Sequence, residues 1–170
     1  MRPEEARFGR EVVMAAFFCA LGVVVPILFH AVGLGRFFLP MHLPVLIAGF
    51  LLSPSWAVSA GVLTPWLSMA VTGMPPFPIT PIMSLELAAL AGVAAALTRL
   101  RVPWALTLPL AILARCVVTW LITTGLGAYL GLPPQATGWA AVASGGPGIL
   151  LQLVATPVVL ATLKRARPQG

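Results

Sequence analysis

Residues 104–129 read WALTLPLAILARCVVTWLITTGLGAY, an apolar stretch that contains a single charged residue, Arg115. A helix needs about 20 apolar residues to cross a lipid bilayer, so this stretch is long enough. It also lacks the period-two alternation of polar and apolar residues that a membrane β-barrel strand requires. The stretch therefore predicts a transmembrane helix with one guanidinium inside the membrane.

The composition of the whole chain extends this prediction to the full protein. Of the 170 residues, 59% are hydrophobic and 8% are charged, whereas a soluble domain carries about 25% charged residues. The ten basic residues form no stripe with interleaved aromatic side chains, so nucleic acid is not an expected partner. The expected surroundings are the lipid bilayer.

Six apolar segments predict an all-α membrane protein with six transmembrane helices in a single integral membrane domain, residues 1–170. The first segment is interpreted as a retained helix, because its apolar run is long for a signal peptide. The predicted helices are 11–30, 39–53, 55–73, 79–98, 104–129 and 139–163.

The basic residues predict the orientation of these helices. With both termini in the cytoplasm, only Arg36 lies on the outer side, and the positive-inside rule is obeyed. The predicted location is the plasma membrane of a prokaryotic cell. The basic residues on the inner side are Arg2, Arg7, Arg10, Arg99, Arg101, Lys164, Arg165 and Arg167.

Glu86 and Arg115 are the two charged residues that lie in the interior of the predicted segments, away from their ends. Such groups cost free energy in lipid unless they are paired, hydrated or facing a polar cavity, so they mark a candidate site. Thr119 and Thr123 follow Arg115 at intervals of four and share its helix face. Gln152 lies at a similar depth in the last segment.

A purely structural interpretation of these residues is also open. Glu86 and Arg115 would then form one ion pair, and the threonines would bond to their own helix backbone. His42 is expected at the outer membrane interface, and Trp120 is a modest candidate for a pocket wall.

Small residues mark two further places in the chain. Gly146 lies in the run 144–148, SGGPG, which either exposes backbone to a ligand or permits close helix packing. Ala16 and Ala20 in the first segment form a small-xxx-small pair that lets another helix approach closely.

Signatures of enzymes and metal sites are missing from the sequence. It contains no Walker A motif, catalytic triad spacing or metal-ligand spacing, so no metal or cofactor is expected. Cys19 and Cys116 lie far apart in apolar segments and are expected to be free thiols. An ATP-driven process would need ATPase activity from another subunit.

Several stretches together resemble the substrate-binding S components of energy-coupling factor (ECF) vitamin transporters. They are the run 40–50 (PMHLPVLIAGF), the turn 72–78 (TGMPPFP) with Glu86-Leu87-Ala88, the pair Ala114-Arg115, and the run 147–153 (PGILLQL). The resemblance spans segments two to six.

This resemblance implies a six-helix subunit that binds a vitamin near the outer face of the membrane. Pantothenate is the favoured ligand, with pyridoxine, folate and riboflavin as competitors. The implied binding set is Glu86, Arg115, Thr119, Trp120, Thr123, Gly146, Gln152, His42 and Met74. The implied partners are a transmembrane coupling subunit, which contacts Ala16 and Ala20, and two cytoplasmic ATPases.

Three alternatives remain open from the sequence. The first is a solitary transporter driven by an ion gradient, with Glu86 as proton carrier. The second is an intramembrane enzyme with Glu86 or His42 as general base, which the lack of a nucleophile disfavours. The third is a structural membrane subunit without a ligand.

Overall fold

The computed structural model describes residues 2–31, 33 and 38–166, and within them every regular element is a helix. A short 3₁₀ turn also occurs at Pro134–Ala136. The helices are α1 (Pro3–Ala31), α2 (His42–Leu51), α3 (Pro54–Thr72), α4 (Ile79–Arg99), α5 (Trp104–Leu126), α6 (Gly138–Ser144) and α7 (Gly146–Ala166).

Four of the helices are long and apolar enough to cross a membrane: Glu4–Ala31 within α1, and the whole of α4, α5 and α7. The chain therefore has the helices of an all-α membrane protein, as predicted. The helix α2 is also apolar but has only 10 residues.

The predicted helix 139–163 is divided in the structure into α6 and α7. The helix α6 ends at Ser144, and the N–H of Gly145 bonds to the carbonyl of Val142 at 3.1 Å. Pro147 then lies in the first turn of α7, where its missing N–H leaves no helical hydrogen bond unmade. The prediction of one continuous helix here was wrong, because the prolyl residue begins a helix more readily than it continues one.

The centre of the bundle is α4, which packs against α2, α3 and α5. Glycines let the neighbouring backbones approach α4 closely. A Cβ atom added to Gly49 would lie 2.7 Å from the carbonyl oxygen of Ala91, and one added to Gly61 would lie 2.6 Å from that of Leu87. Small residues at helix contacts are the usual means of tight packing between membrane helices.

These contacts also set the direction of the helices. The helices α1 and α3 run parallel, since Cys19 contacts Ala60 and Gly22 faces Thr64. The helix α4 runs antiparallel to α3, since Thr80 contacts Met69, the Ser84 hydroxyl donates to the carbonyl of Val62 at 3.1 Å, and Gly92 faces Val58.

The bundle consequently has two distinct ends. We call one the basic end; it holds the first turns of α1, α3 and α5 and the last turns of α2, α4 and α7. The other end holds the last turns of α1, α3 and α5 and the first turns of α2, α4 and α7. We call it the cavity end, after a cavity that is described below. Within the described part of the chain the basic residues at the basic end are Arg2, Arg7, Arg10, Arg99, Arg101, Lys164 and Arg165.

Glu11 fastens α1 to the joint between α2 and α3. Its carboxylate accepts hydrogen bonds from the backbone N–H of Ser53 at 2.9 Å and from the Ser53 hydroxyl at 3.0 Å. Ser53 immediately precedes α3, so the negative charge also lies at the positive end of that helix dipole. Sequence reasoning missed this role, because Ser53 is 42 positions away along the chain.

Candidate functional site

The Glu86 carboxylate faces α2 from the middle of α4. Its Oε2 lies 3.6 Å from Nε2 of His42, and the side chains of Glu86 and His42 are only 12% and 1% exposed. Neither ring nitrogen of His42 has a hydrogen-bond partner within the described part of the protein. The pair is therefore close and largely buried, with a gap slightly longer than a hydrogen bond.

The sequence predicts His42 at the outer membrane interface, but in the structure this residue is buried in the bundle. The reason is that α7 covers the residues before α2. A Cβ atom on Gly148 would lie 2.7 Å from the carbonyl oxygen of Phe38 and 2.8 Å from Cβ of Leu39. The first turn of α2 is consequently enclosed.

Arg115 is buried on the inner face of α5, with 2% of its surface exposed. Its Nε has no hydrogen-bond partner, and one terminal nitrogen is 4.0 Å from Sγ of Cys116. Glu86 pairs with His42, and no carboxylate among the described residues lies within 4.0 Å of Arg115. The direct Glu86–Arg115 ion pair of the structural interpretation is therefore not formed.

Thr119 and Thr123 lie on the same buried face of α5 as Arg115, as their spacing predicted. Their hydroxyls donate to the helix's own backbone: Thr119 to the carbonyl of Arg115 at 3.0 Å and Thr123 to that of Thr119 at 2.7 Å. The Thr123 oxygen also accepts from the N–H of Gly138 at 3.0 Å. Thr123 thus has a structural task, which is to hold the start of α6 against α5.

Gln152 and Thr156 face the interior from α7, with 1% and 0% of their surfaces exposed. Neither the amide of Gln152 nor the hydroxyl of Thr156 has a hydrogen-bond partner in the described structure. Thr156 was not singled out from the sequence, although its spacing of four from Gln152 was the available signal. Buried polar groups without partners are costly, so this face of α7 is suited to water or a ligand.

The glycines around the start of α7 differ in their surroundings. A Cβ atom on Gly145 would lie 3.2 Å from a terminal nitrogen of Arg115, so the guanidinium packs directly against the chain there. By contrast, nothing lies within 4 Å of a Cβ atom placed on Gly146. Close packing explains Gly145, whereas the space beside Gly146 is open.

A cavity of about 680 Å³ lies at the cavity end, between α1, α3 and the first turns of α2 and α4. Its wall is mainly apolar. Of the predicted site residues, His42 and Met74 line this cavity, and Thr72 and Met83 lie beside them. Small-molecule sites commonly occupy roughly 300–1,000 Å³, so the size is suitable for a ligand.

The other predicted site residues do not line this cavity. Glu86 lies 3.6 Å from His42, and Arg115 and Thr119 are buried on α5. Trp120 packs against Trp139, with 6.0 Å between the ring centroids. The structure thus brings His42, Glu86 and Arg115 into one neighbourhood. By contrast, Thr123 and Trp120 contact α6, and Gly146 lies just after it.

A second depression, an apolar groove of about 530 Å³, runs between α1 and α3. Ala16 and Ala20 form part of its wall, together with Trp56 and Leu63. Both alanines are exposed on the α1 surface. We refer to this feature as the α1–α3 groove.

No set of three potential metal-ligating side chains occurs within residues 2–31, 33 and 38–166. Cys19 and Cys116 are free thiols. Comparison of the chain with models of protein families, with curated proteins and with solved structures gives no match.

Proposed function

We propose that this protein is the substrate-binding membrane subunit of an ECF-type importer, which captures a vitamin at the outer face for ATP-driven uptake. Pantothenate is the favoured ligand, and pyridoxine, folate and riboflavin are the competing ones. The proposal combines the sequence resemblance of segments two to six with the arrangement of the bundle.

The observation that carries the proposal is the cavity at the end of the bundle opposite the basic residues. By the positive-inside rule, the basic end faces the cytoplasm, so the cavity opens towards the exterior. We further propose six crossings with both termini in the cytoplasm. In that arrangement α2, which is about 15 Å long at 1.5 Å per residue, crosses part of the membrane only.

In this proposal the ligand enters the cavity that His42 and Met74 line. Glu86, Arg115 and Gln152 form the proposed polar interior next to that wall. The Thr119 hydroxyl donates to the backbone carbonyl of Arg115. A guanidinium binds a carboxylate through two parallel hydrogen bonds, so Arg115 is suited to an acidic ligand once the α2–α7 contact opens. Trp120, Thr123 and Gly146 hold the α6 side of the site.

The proposed partners are a transmembrane coupling subunit and two cytoplasmic ATPases, which supply the hydrolysis that this chain has no motif to perform. The α1–α3 groove is the proposed contact with the coupling subunit. Its wall is apolar, and Ala16 and Ala20 leave room for another helix.

Two measurements test this function. Mass spectrometry of small molecules that co-purify with the protein is expected to identify a vitamin. Uptake of that vitamin into cells is expected to require the coupling subunit and the ATPases. Purification without any small ligand, together with uptake that does not need ATPases, would overturn the proposal.

A second candidate is a solitary transporter coupled to a proton gradient. The observation that favours it is the buried His42–Glu86 pair, because both groups can carry protons. Uptake would then continue without ATPases and would stop when an ionophore collapses the proton gradient. In the ECF proposal, the same ionophore leaves ATP-driven uptake intact.

A further inference from the structure

The wall of the cavity is poor in charge. Among the described residues that line it, the only titratable side chains are His30 of α1 and His42 of α2. Both ring nitrogens of His42 are fully buried, so they are out of reach of a ligand in the cavity. The described part of the wall therefore offers no lysine or arginine with which an acidic ligand could pair.

Several backbone groups of the wall are also unable to bind an anion. Pro40, Pro75 and Pro76 line the cavity and have no N–H group. The N–H of Met74 already donates to the Thr72 hydroxyl at 3.2 Å. That hydroxyl itself donates to a backbone carbonyl of α3 at 2.8 Å. Each of these groups is either absent as a donor or already used.

A carboxylate would therefore be held poorly in the cavity. Burial of an ionised group is unfavourable unless a charge or hydrogen-bond donors replace the water that solvated it. Arg115 does not line the cavity, and in the proposed function an acid reaches it only after the α2–α7 contact opens. An uncharged ligand needs no such movement.

The apolar part of the wall is suited to an aromatic ring. Three methionines line the cavity, and they come from the start of α2, from the connection before α4 and from α4 itself. Their thioether side chains are flexible and make favourable contacts with aromatic rings. These residues are Met41, Met74 and Met83.

We propose that the cavity takes an uncharged ligand that contains an aromatic ring, and that it excludes carboxylates. The inference rests on the proposed function of the cavity as the substrate site and deepens it. The sequence resemblance favours pantothenate, which is an acid without a ring. The wall instead favours two of its competitors, riboflavin and pyridoxine, which are aromatic and carry no net charge at neutral pH.

The test compares pyridoxine with 4-pyridoxate, in which a carboxylate replaces one hydroxymethyl group of the same ring. Equilibrium dialysis of the purified protein gives the dissociation constants of both compounds and of riboflavin, pantothenate and folate. We expect 4-pyridoxate to bind about tenfold more weakly than pyridoxine, or weaker still. Riboflavin or pyridoxine is expected to bind more tightly than pantothenate and folate by a similar factor.

A positive charge added to the wall should admit the acids. Met74 lines the cavity and is 48% exposed, so a lysine side chain fits there. Met74→Lys is expected to tighten the binding of 4-pyridoxate and pantothenate by about tenfold. The matched control is Phe77→Lys, because Phe77 is exposed in the same connection but does not line the cavity. This control is expected to leave the binding of both acids unchanged.

Several outcomes would overturn the inference. One is that pantothenate, folate or 4-pyridoxate binds as tightly as the uncharged compounds, and another is that neither riboflavin nor pyridoxine binds. Equal effects of Met74→Lys and Phe77→Lys would show that the ligand does not occupy this cavity. Arg36 lies outside the described residues, between α1 and α2 in the sequence. If pantothenate binds tightly and Arg36→Gln abolishes that binding, the acid is admitted by Arg36 and the inference is wrong.

These results are distinct from those that test the importer function. Tight binding of pantothenate overturns the charge selectivity of the cavity and leaves the proposed importer standing. Purification without any small ligand, together with uptake that does not need ATPases, overturns the importer itself.

Discussion

Nε2 of His42 lies 3.6 Å from Oε2 of Glu86, joining the first turn of α2 to the middle of α4. The contact connects the wall of the cavity with the charged interior of the bundle. It also leaves Arg115 without a carboxylate within 4.0 Å in the described structure. We expect substitution of one of these three residues to affect the others, because charges in a low-dielectric interior interact over several ångströms.

Glu86→Ala is expected to destabilise the protein because it leaves the buried charge of Arg115 without compensation. Removal of one partner from a buried charge cluster costs about 3–5 kcal/mol, and the free energy of unfolding in mixed micelles measures it. The control is Glu4→Ala, since Glu4 is exposed. If Glu86→Ala with Arg115→Met is no more stable than Glu86→Ala alone, the charge argument is wrong.

Gly61→Ala is expected to disrupt the packing of α3 against α4. The added Cβ atom would lie 2.6 Å from a backbone oxygen, which cannot move aside as a flexible side chain would. We expect a loss of roughly 1–3 kcal/mol, as for other overpacked sites. Gly9→Ala is the control, because nothing lies within 4 Å of its added Cβ atom; equal stability of the two variants would refute the close approach.

Glu11→Ala is expected to lower the free energy of unfolding by about 1–3 kcal/mol, because Ser53 loses its acceptor. Ser53→Ala removes the hydroxyl but keeps the backbone N–H. A double-mutant cycle of the two substitutions should therefore give a coupling energy of at least about 0.5 kcal/mol. A coupling energy of zero would show that the hydroxyl contact contributes nothing.

Ala16→Trp is expected to reduce uptake about tenfold or more, equivalent to about 1.4 kcal/mol of association free energy, by filling the α1–α3 groove. Ligand binding by the purified subunit should remain, because the groove lies apart from the cavity. The control is Val13→Trp, at an exposed position of α1 that does not line the groove. Normal uptake by Ala16→Trp would exclude the groove as the partner contact.

Single cysteines test the orientation of the bundle. In a background with Cys19→Ala and Cys116→Ala, Phe77→Cys at the cavity end should react with a membrane-impermeant maleimide in intact cells. Leu100→Cys at the basic end should react only after the membrane is opened. Both native residues are well exposed, at 72% and 74%, so labelling of Leu100→Cys from outside would contradict the proposed topology.

Most of the helices could be predicted because they are long apolar runs, such as the one that ends at Thr72 just before Gly73. The segment predicted as 79–98 is Ile79–Arg99 in the structure, and the one predicted as 55–73 is Pro54–Thr72. The shared face of Arg115, Thr119 and Thr123 followed equally from their spacing.

The partners of the charged residues could not be predicted in the same way. Spacing along one helix says which side chains share a face, but not which other helix lies opposite. Glu86 contacts His42 because α2 packs on α4. This packing belongs to the tertiary structure and cannot be read from the spacing of residues in one helix. Glu11 escaped notice because its acceptor role depends on Ser53, which is 42 positions away in the chain.

The glycine contacts of Gly49 and Gly61 have a mechanical consequence. Because they hold α2 and α3 backbone-to-backbone against α4, these three helices cannot slide past one another without steric collision. We therefore expect them to form a stiff unit that keeps its shape during the proposed uptake of a ligand. In the proposed function, the movement that admits a ligand would lie outside this unit, for example at the junction between α6 and α7, where nothing lies within 4 Å of a Cβ atom placed on Gly146.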